Sequence, residues 1–271
     1  MDRARTSGRV AGAEGGAGRV HAPRLLAKQR VHLAALLIVF ALPVFAQDGI
    51  NFDPAITQEE FATFSRLVAQ GIYATPVEPA RARGILGFDI GVAATAIPVD
   101  TNASYWVRAV DEDFTVSDYV AVPRLVVSKG LSFGTISGSY AKVQDTDLQI
   151  LGGSLDIPLT SGGIATPTIA LRGAYSQLSG VEEFDLKTYG VELFISKGFG
   201  PITPYAAAGY ARSDAEGAIN LPDGSTVALA DESNGQRITL GVRLSLLLPK
   251  IVVEATQGEE RSYSAKIAFG L

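Results

Sequence analysis

Apolar and polar side chains alternate along most of the chain. In residues 237–246 every even position is apolar and every odd position is polar or small; the two sets are Ile238, Leu240, Val242, Leu244 and Leu246, and Arg237, Thr239, Gly241, Arg243 and Ser245. Successive side chains of a strand point to opposite faces, so such a strand separates an apolar medium from a polar one. Residues 262–271 end the chain with the same alternation. This pattern predicts strands of a membrane-spanning β-barrel.

The chain from Gly84 onward contains ten segments of about 9–11 residues or more, the length a tilted strand needs to cross a bilayer. We predict an all-β fold over residues 84–271: a closed antiparallel transmembrane β-barrel of about ten strands, with a short N-terminal helix. Two of the segments alternate weakly, which leaves eight strands as an alternative. The ten segments are 85–97, 119–129, 131–143, 147–157, 167–177, 185–196, 202–212, 237–246, 251–258 and 262–271.

The predicted connections alternate between short turns and two long polar loops, at about 98–118 and 213–236. An even strand count places both strand termini on the side of the short turns, which faces the periplasm in bacterial barrels. Pro123 falls inside the second segment, where it has no N–H to donate to the ladder. A bulge or a register break is therefore expected at Pro123.

Residues 1–46 have the features of a secretory signal peptide with an N-terminal extension. An uncharged apolar run at 33–46 follows Arg24, Lys28 and Arg30, and Val44-Phe45-Ala46 fits a cleavage site. Fourteen residues are too few for a spanning helix, which needs ~20. We expect cleavage near Ala46 and a translation start downstream of Met1, the one methionine of the chain.

Residues 47–83 are predicted to be a periplasmic segment with an amphipathic helix at 57–72. Thr57 and Glu60 form a Thr-x-x-Glu capping box, and Phe61, Phe64, Leu67, Val68 and Ile72 share one face. The helix is expected to pack on or in the periplasmic mouth of the barrel. A membrane-surface or partner-docking helix is the alternative.

Composition excludes several functions. Cleavage after Ala46 removes seven of 23 basic and two of 28 acidic residues, so the remaining chain carries a formal charge of −10, which disfavours nucleic acid as a partner. The chain has no cysteine, and both histidines, His21 and His32, precede the cleavage site. The mature chain therefore lacks the commonest general base and the usual transition-metal ligands. We expect no enzyme, no cofactor and no metal site.

The predicted inner faces of the strands carry ten charged side chains. These candidates form either a network of ion pairs that fills a narrow barrel or the lining of a selective pore. The first function we consider is accordingly a narrow passive channel for small solutes or ions. The alternative is a plugged structural or adhesion barrel that acts through its acidic extracellular loops. The candidates are Asp89, Arg124, Asp156, Arg172, Glu192, Arg212, Arg237, Arg243, Glu254 and Lys266.

Several segments together resemble a poorly characterised family of small bacterial outer-membrane β-barrel proteins. They are the signal peptide, the capped helix, the first strand at 87–91, the 203–205 strand start with Gly209-Tyr210, and the alternating terminal strand with Phe269 two places before the end. The resemblance covers residues 47–271. It implies a location in the bacterial outer membrane, contact with outer-membrane lipid, and recognition of the C-terminal strand by the barrel assembly machinery; it transfers no active site.

Overall fold

The computed structural model describes residues 49–270, apart from 111–117, 143–146, 164 and 222. In this part of the chain ten antiparallel strands close into one barrel, in which each strand pairs with its sequence neighbours and β1 pairs with β10. The predicted fold class and ten strands are confirmed. The strands are β1 (Phe88–Pro98), β2 (Tyr119–Gly130), β3 (Thr135–Lys142), β4 (Gln149–Thr160), β5 (Thr168–Val181), β6 (Phe184–Ser196), β7 (Ile202–Asn220), β8 (Thr226–Ser245), β9 (Pro249–Gln257) and β10 (Arg261–Gly270).

Two helices accompany the strands. Helix α1 (Gln58–Ile72) begins at the predicted capping box, in which the Thr57 side chain accepts from the Glu60 amide and the Glu60 carboxylate accepts from the Thr57 amide. The single-turn helix α2 (Ser104–Val107) lies between β1 and β2. We call the end of the barrel where α1 packs the helix end. The terminal end is the opposite one, where β1 begins and β10 finishes.

The stretch predicted as a long polar loop at 213–236 continues the β7–β8 hairpin, as the turn signal of the sequence at 222–225 indicates. Strands β7 and β8 are 19 and 20 residues long, and they pair without interruption from Ile202↔Leu244 to Asn220↔Thr226. Alternation continues through this hairpin, although its outward positions become polar. The turn closes at Gly224, whose φ of +83° is a left-handed conformation that glycine adopts readily.

The break predicted at Pro123 is wrong. The β1–β2 register runs through Ala94↔Pro123 without a shift. On its other side, the register of β2 with β3 extends only from Leu125 to Gly130, so Pro123 lies beyond the paired part and its missing N–H breaks no ladder bond.

Near the helix end the inward side chains of the wall are apolar and the outward ones polar, and in the rest of the barrel the outward ones are apolar. Strand β6 shows both arrangements. Its residues near the helix end place Phe184 and Leu186 inward, with exposed fractions of 1% and 0%, and Asp185 and Lys187 outward. Its remaining residues place Thr188 and Glu192 inward and apolar side chains outward, namely Val191, Leu193 and Ile195. The helix end is thus built like a water-soluble protein, and the rest of the wall is built to face lipid.

An apolar belt surrounds the part of the barrel wall that lies between the helix end and the terminal end. Its outward side chains are large, exposed and drawn from many strands, as expected where the solvent is lipid. Tyrosines lie at its edge nearest the helix end, where Tyr175 and Tyr189 stack at 6.3 Å. The belt includes Ile90, Val92, Leu125, Ile136, Leu151, Ile157, Val191, Leu193, Ile195, Ile238, Leu240, Val242, Ile251 and Phe269.

Helix α1 lies inside the barrel at the helix end, at the mouth opposite to the start of β1. Phe61, Phe64 and Ile72 are at most 2% exposed and pack in one core with inward residues of the wall. These partners lie where β1 ends, β6 begins and β7 ends: Ile97, Phe184, Leu186, Ala215 and Ile219. Residues 73–83 connect this position with the start of β1: they bend at Val77 and Glu78, and their greatest possible length of roughly 36 Å is enough to carry the chain from one mouth to the other.

Candidate functional site: the filled lumen

Residues 73–83, which we call the lumen segment, run through the barrel from α1 to the start of β1. Pro76 and Pro79 keep this stretch from continuing the helix, because proline lacks the amide donor and restricts the residue before it to extended conformations. Most of the segment is buried; Tyr73, Val77, Glu78 and Ala80 are at most 2% exposed. The backbone and side chains of the segment meet charged groups of the wall in three successive layers.

The first layer surrounds Tyr73, just below α1. The hydroxyl of Tyr73 donates to Glu192 at 3.3 Å, and the guanidinium of Arg237 lies 3.8 Å from the centre of the Tyr73 ring. Arg237 also donates to the side chain of Gln70 in α1 at 2.8 Å. Arg124 donates to the backbone oxygen of Tyr73 at 3.0 Å. Two cationic side chains of the wall therefore fix the end of the helix.

The middle layer is centred on Arg172, which is fully buried. Its guanidinium forms two hydrogen bonds with Asp156, at 2.6 and 2.9 Å, and donates to the backbone oxygen of Glu78 at 3.1 Å. On the opposite side of the segment, Glu254 accepts from Tyr205 at 2.6 Å and from Thr75 at 3.5 Å. Bidentate Arg–carboxylate pairs of this kind satisfy both charges in a dry environment.

The third layer lies at the terminal end and holds the side chain of Glu78. Glu78 accepts from Arg83 of the same segment and from Lys266 of β10, the latter at 3.2 Å. Lys266 also donates to the backbone oxygen of Pro76 at 2.8 Å. Asp89 of β1 pairs with Arg83, Lys250 and Lys266 at 3.0–3.4 Å. The segment is therefore tied to the first and last strands, whose pairing closes the barrel.

Nine of the ten predicted lumen residues are placed on the inner face. Eight of them belong to the three layers described above, and Arg243 donates to Thr203 at 3.1 Å near the terminal end. All but Arg243 are at most 5% exposed: Asp89, Arg124, Asp156, Arg172, Glu192, Arg237, Glu254 and Lys266.

Arg212 is the exception, and its inward assignment is wrong. Its neighbours Ser213 and Ala215 are the buried positions of β7, so Arg212 points outward. Its side chain is 41% exposed and pairs with Asp214 and Glu232 at 2.8 Å, both on the polar outer surface of the helix end. Outside the lipid belt, water solvates such a pair.

The residues that the sequence-based prediction missed belong to the lumen segment and to the end of α1. Glu78, Arg81 and Arg83 supply charges that the wall needs, and Tyr73 and Gln70 supply hydrogen-bonding groups. The available signal was three charged residues within six positions of a proline-containing stretch, next to a barrel whose predicted inner face is also charged.

Glu78→Gln is expected to destabilise the folded barrel strongly. The change leaves Arg83 and Lys266 without one of their two carboxylate partners in a buried site, and breaking a buried pair costs about 3–5 kcal/mol. Urea unfolding of the protein in detergent micelles measures this loss. Glu216→Gln is the matched control, because Glu216 is exposed on the outer face of β7 and should change stability little.

The contact between α1 and the β1–β2 connection is expected to respond to acid. Hydrogen bonds from Ser104 and from the Thr57 amide, together with Arg108, lower the pKa of the Glu60 carboxyl from 4.5 to about 2. A lowered pKa means that the contact stabilises the fold above pH 4.5 and is lost as the pH falls towards 2. The melting temperatures of the protein and of Glu60→Gln should differ at pH 6 and converge on acidification. A gap that stays constant would contradict this role.

Among the residues that the structure describes, no three Asp or Glu side chains are placed to hold a metal ion. Within the same residues, no helix has the length and apolarity needed to cross a membrane. A cleft between α1 and β6–β8 is lined by side chains of both signs, including Arg66, Gln70, Tyr73, Arg237 and Glu259.

The structure is similar to solved bacterial barrels at low sequence identity. The N-terminal β-barrel domain of Pseudomonas aeruginosa OprF is 13% identical, with 67% of this chain and 95% of that chain covered and a TM-score of 0.31. The attachment invasion locus protein Ail of Yersinia pestis is 9% identical, over 68% and 93% of the two chains, with a TM-score of 0.29. Neisserial surface protein A (NspA) is 12% identical, over 68% and 94%, with a TM-score of 0.26.

Residues 118–271, more than half of the chain, match the model of a family of unknown function (DUF6588). No curated protein matches the sequence.

Proposed function

The chain belongs to DUF6588, a family without an assigned activity, and we propose that it is a bacterial outer-membrane barrel closed by its own N-terminal segment. In this proposal the protein acts through the surface of its helix end, which projects beyond the membrane. The terminal end faces the periplasm, as in other bacterial barrels. The protein is not an enzyme, and the inward charges serve to hold the segment.

The observation that carries the proposal is the occupation of the lumen. Each layer of wall charges has its partner in the lumen segment or in α1: Arg237 with Gln70, Arg172 with the backbone of Glu78, and Lys266 with the Glu78 carboxylate. A pore lining would leave such groups to water and passing ions. The passive channel predicted from the inward arginines requires the segment to leave the barrel.

The inverted wall supports the membrane placement. A water-soluble barrel has no use for a belt in which Leu240 is 61% exposed and Val191 52%, and lipid is the solvent that makes such exposure favourable. The polar outer face of the helix end, with Asp185, Lys187 and Arg212, suits water beyond the headgroups.

Planar-bilayer recording of the intact, folded protein tests the proposal. We expect no conductance above that of the bare membrane. Folded protein is recognised by faster migration in SDS gels without boiling than with boiling, since a closed hydrogen-bonded barrel resists the detergent. A stable conductance of the intact chain would favour the channel, and recovery of the protein from the soluble periplasm would refute the membrane barrel.

A further inference from the structure

The terminal mouth of the lumen has an excess of positive charge. Five basic side chains gather there, with two carboxylates among the described residues to balance them. The basic groups are Arg81, Arg83, Arg243, Lys250 and Lys266, which we call the cationic mouth, and the carboxylates are those of Glu78 and Asp89. The first and middle layers contain no such excess of positive charge. In them the three arginines, Arg124, Arg172 and Arg237, are balanced by three carboxylates, those of Asp156, Glu192 and Glu254. Among the described residues, the basic groups of the mouth therefore exceed its carboxylates by three positive charges.

Arg81 and Arg243 are the groups with the fewest partners. The guanidinium of Arg81 forms no hydrogen bond or ion pair with any residue that the structure describes, and it is partly exposed. Arg243 makes one hydrogen bond, to the hydroxyl of Thr203, and its Nε and Nη1 have no acceptor among the described residues. The two side chains also repel each other electrostatically. Guanidinium groups with unused N–H donors at the same mouth are suited to bind an oxyanion such as a phosphate.

A second, independent feature lies at the same end: the turns around the mouth are apolar. Large side chains project from the segment before β1 and from three of the four turns, and the most exposed of them are Leu86, Leu247 and Leu248, each with an exposed fraction of 68% or more. We call these residues the apolar rim: Ile85, Leu86, Phe133, Phe199, Leu247 and Leu248. Turns in water are normally polar, so this rim fits the boundary between acyl chains and headgroups. The mouth then lies at the level of the lipid phosphates.

We propose that the cationic mouth, framed by the apolar rim, binds the phosphate of an anionic phospholipid from the surrounding leaflet. The inference rests on the proposed membrane placement of the barrel. The acyl chains contact the rim, and the phosphate neutralises the excess charge at Arg81 and Arg243. The occupant is a lipid and not free phosphate, because the rim supplies apolar contacts that only a lipid uses. The bound lipid would cover the mouth of the filled lumen.

Native mass spectrometry of the folded protein in a non-ionic detergent, titrated with phosphatidylglycerol or phosphatidylcholine, tests the proposal. We expect selective retention of phosphatidylglycerol, and roughly 30-fold weaker retention by the double variant Arg81→Gln/Arg243→Gln, from about fivefold per basic residue. The control Arg66→Gln/Arg261→Gln removes the same charge at the helix end and should retain the lipid. Since neither Arg81 nor Arg243 forms a salt bridge with a described residue, their replacement is expected to leave the folded state intact.

The outcomes separate the two proposals. A chain that shows no heat-dependent migration in detergent refutes the membrane barrel itself. A folded barrel in which the double variant retains phosphatidylglycerol as well as the unmodified protein does refutes the lipid site. Displacement of the lipid by millimolar inorganic phosphate would assign the site to free phosphate and overturn the lipid as its occupant. If the double variant does not fold, Arg243→Gln alone is measured, with an expected loss of about fivefold.

Discussion

Deletion of residues 49–83 is expected to convert a silent barrel into one that conducts ions. The deletion removes α1 and the lumen segment but leaves every strand, so the β1–β10 pairing can still close the barrel. The cleared wall carries six basic and four acidic side chains, so the current should favour anions, because fields within a low-dielectric wall are weakly screened. These residues are Arg124, Arg172, Arg237, Arg243, Lys250 and Lys266, and Asp89, Asp156, Glu192 and Glu254.

Planar-bilayer recording of the deletion variant beside the intact protein measures this effect. Only variant protein that shows heat-dependent migration in SDS gels counts as folded. Equal conductance of the two proteins would mean that the segment does not block the lumen. A folded variant without conductance would mean that the wall side chains fill the barrel by themselves.

Leu240→Arg is expected to impair assembly into the membrane. Leu240 is 61% exposed, between the exposed apolar side chains of Ile238 and Val242 on the outward face of β8, and an arginine at the midplane of a transmembrane barrel costs ~2–4 kcal/mol. The folded fraction in lipid vesicles, read from heat-dependent migration, measures the loss.

Gln236→Arg is the matched control for that variant. Gln236 lies on the same face of the same strand, four residues closer to the helix end, and it is already polar and exposed. Arginine is expected to be tolerated there, because the charged group can reach water. Equal assembly of the two variants would contradict the lipid belt.

Strand facing was predictable wherever the two faces of a strand differ in polarity. In β8 the alternation of Leu240 with Thr239 and Gly241 left one possible facing, and the structure has it. In β7 the run 206–209 consists of alanine and glycine on both faces, so the alternation there carries no information, and the inward assignment of Arg212 failed. The true facing comes from Tyr205 and Ser213, which pack inside.

The position of the N-terminal segment was not predictable from local pattern. Helix α1 follows from its capping box and its apolar face, but the same apolar face would pack at either mouth of the barrel. The contacts that decide between them join residues far apart in sequence, such as Pro76 with Lys266 and Gln58 with Ala230. Residues 73–83 have no periodicity, and side chains of the wall bind backbone oxygens of the segment, for example those of Tyr73, Pro76 and Glu78, as well as its side chains.

The most direct test of the filled lumen is a disulfide between the segment and the wall. The chain has no cysteine of its own, and a Cβ added at Gly152 of β4 would lie 2.9 Å from the Cβ of Ala74, so that a small shift gives the separation of a disulfide. The pair Ala74→Cys/Gly152→Cys is expected to cross-link in membranes under mild oxidation, as detected by mass spectrometry of the digested protein. The pair Ala74→Cys/Leu151→Cys, in which Leu151 faces lipid, is expected not to. Absence of the first cross-link in folded protein, or equal formation of both, would contradict a barrel filled by its own N-terminal segment.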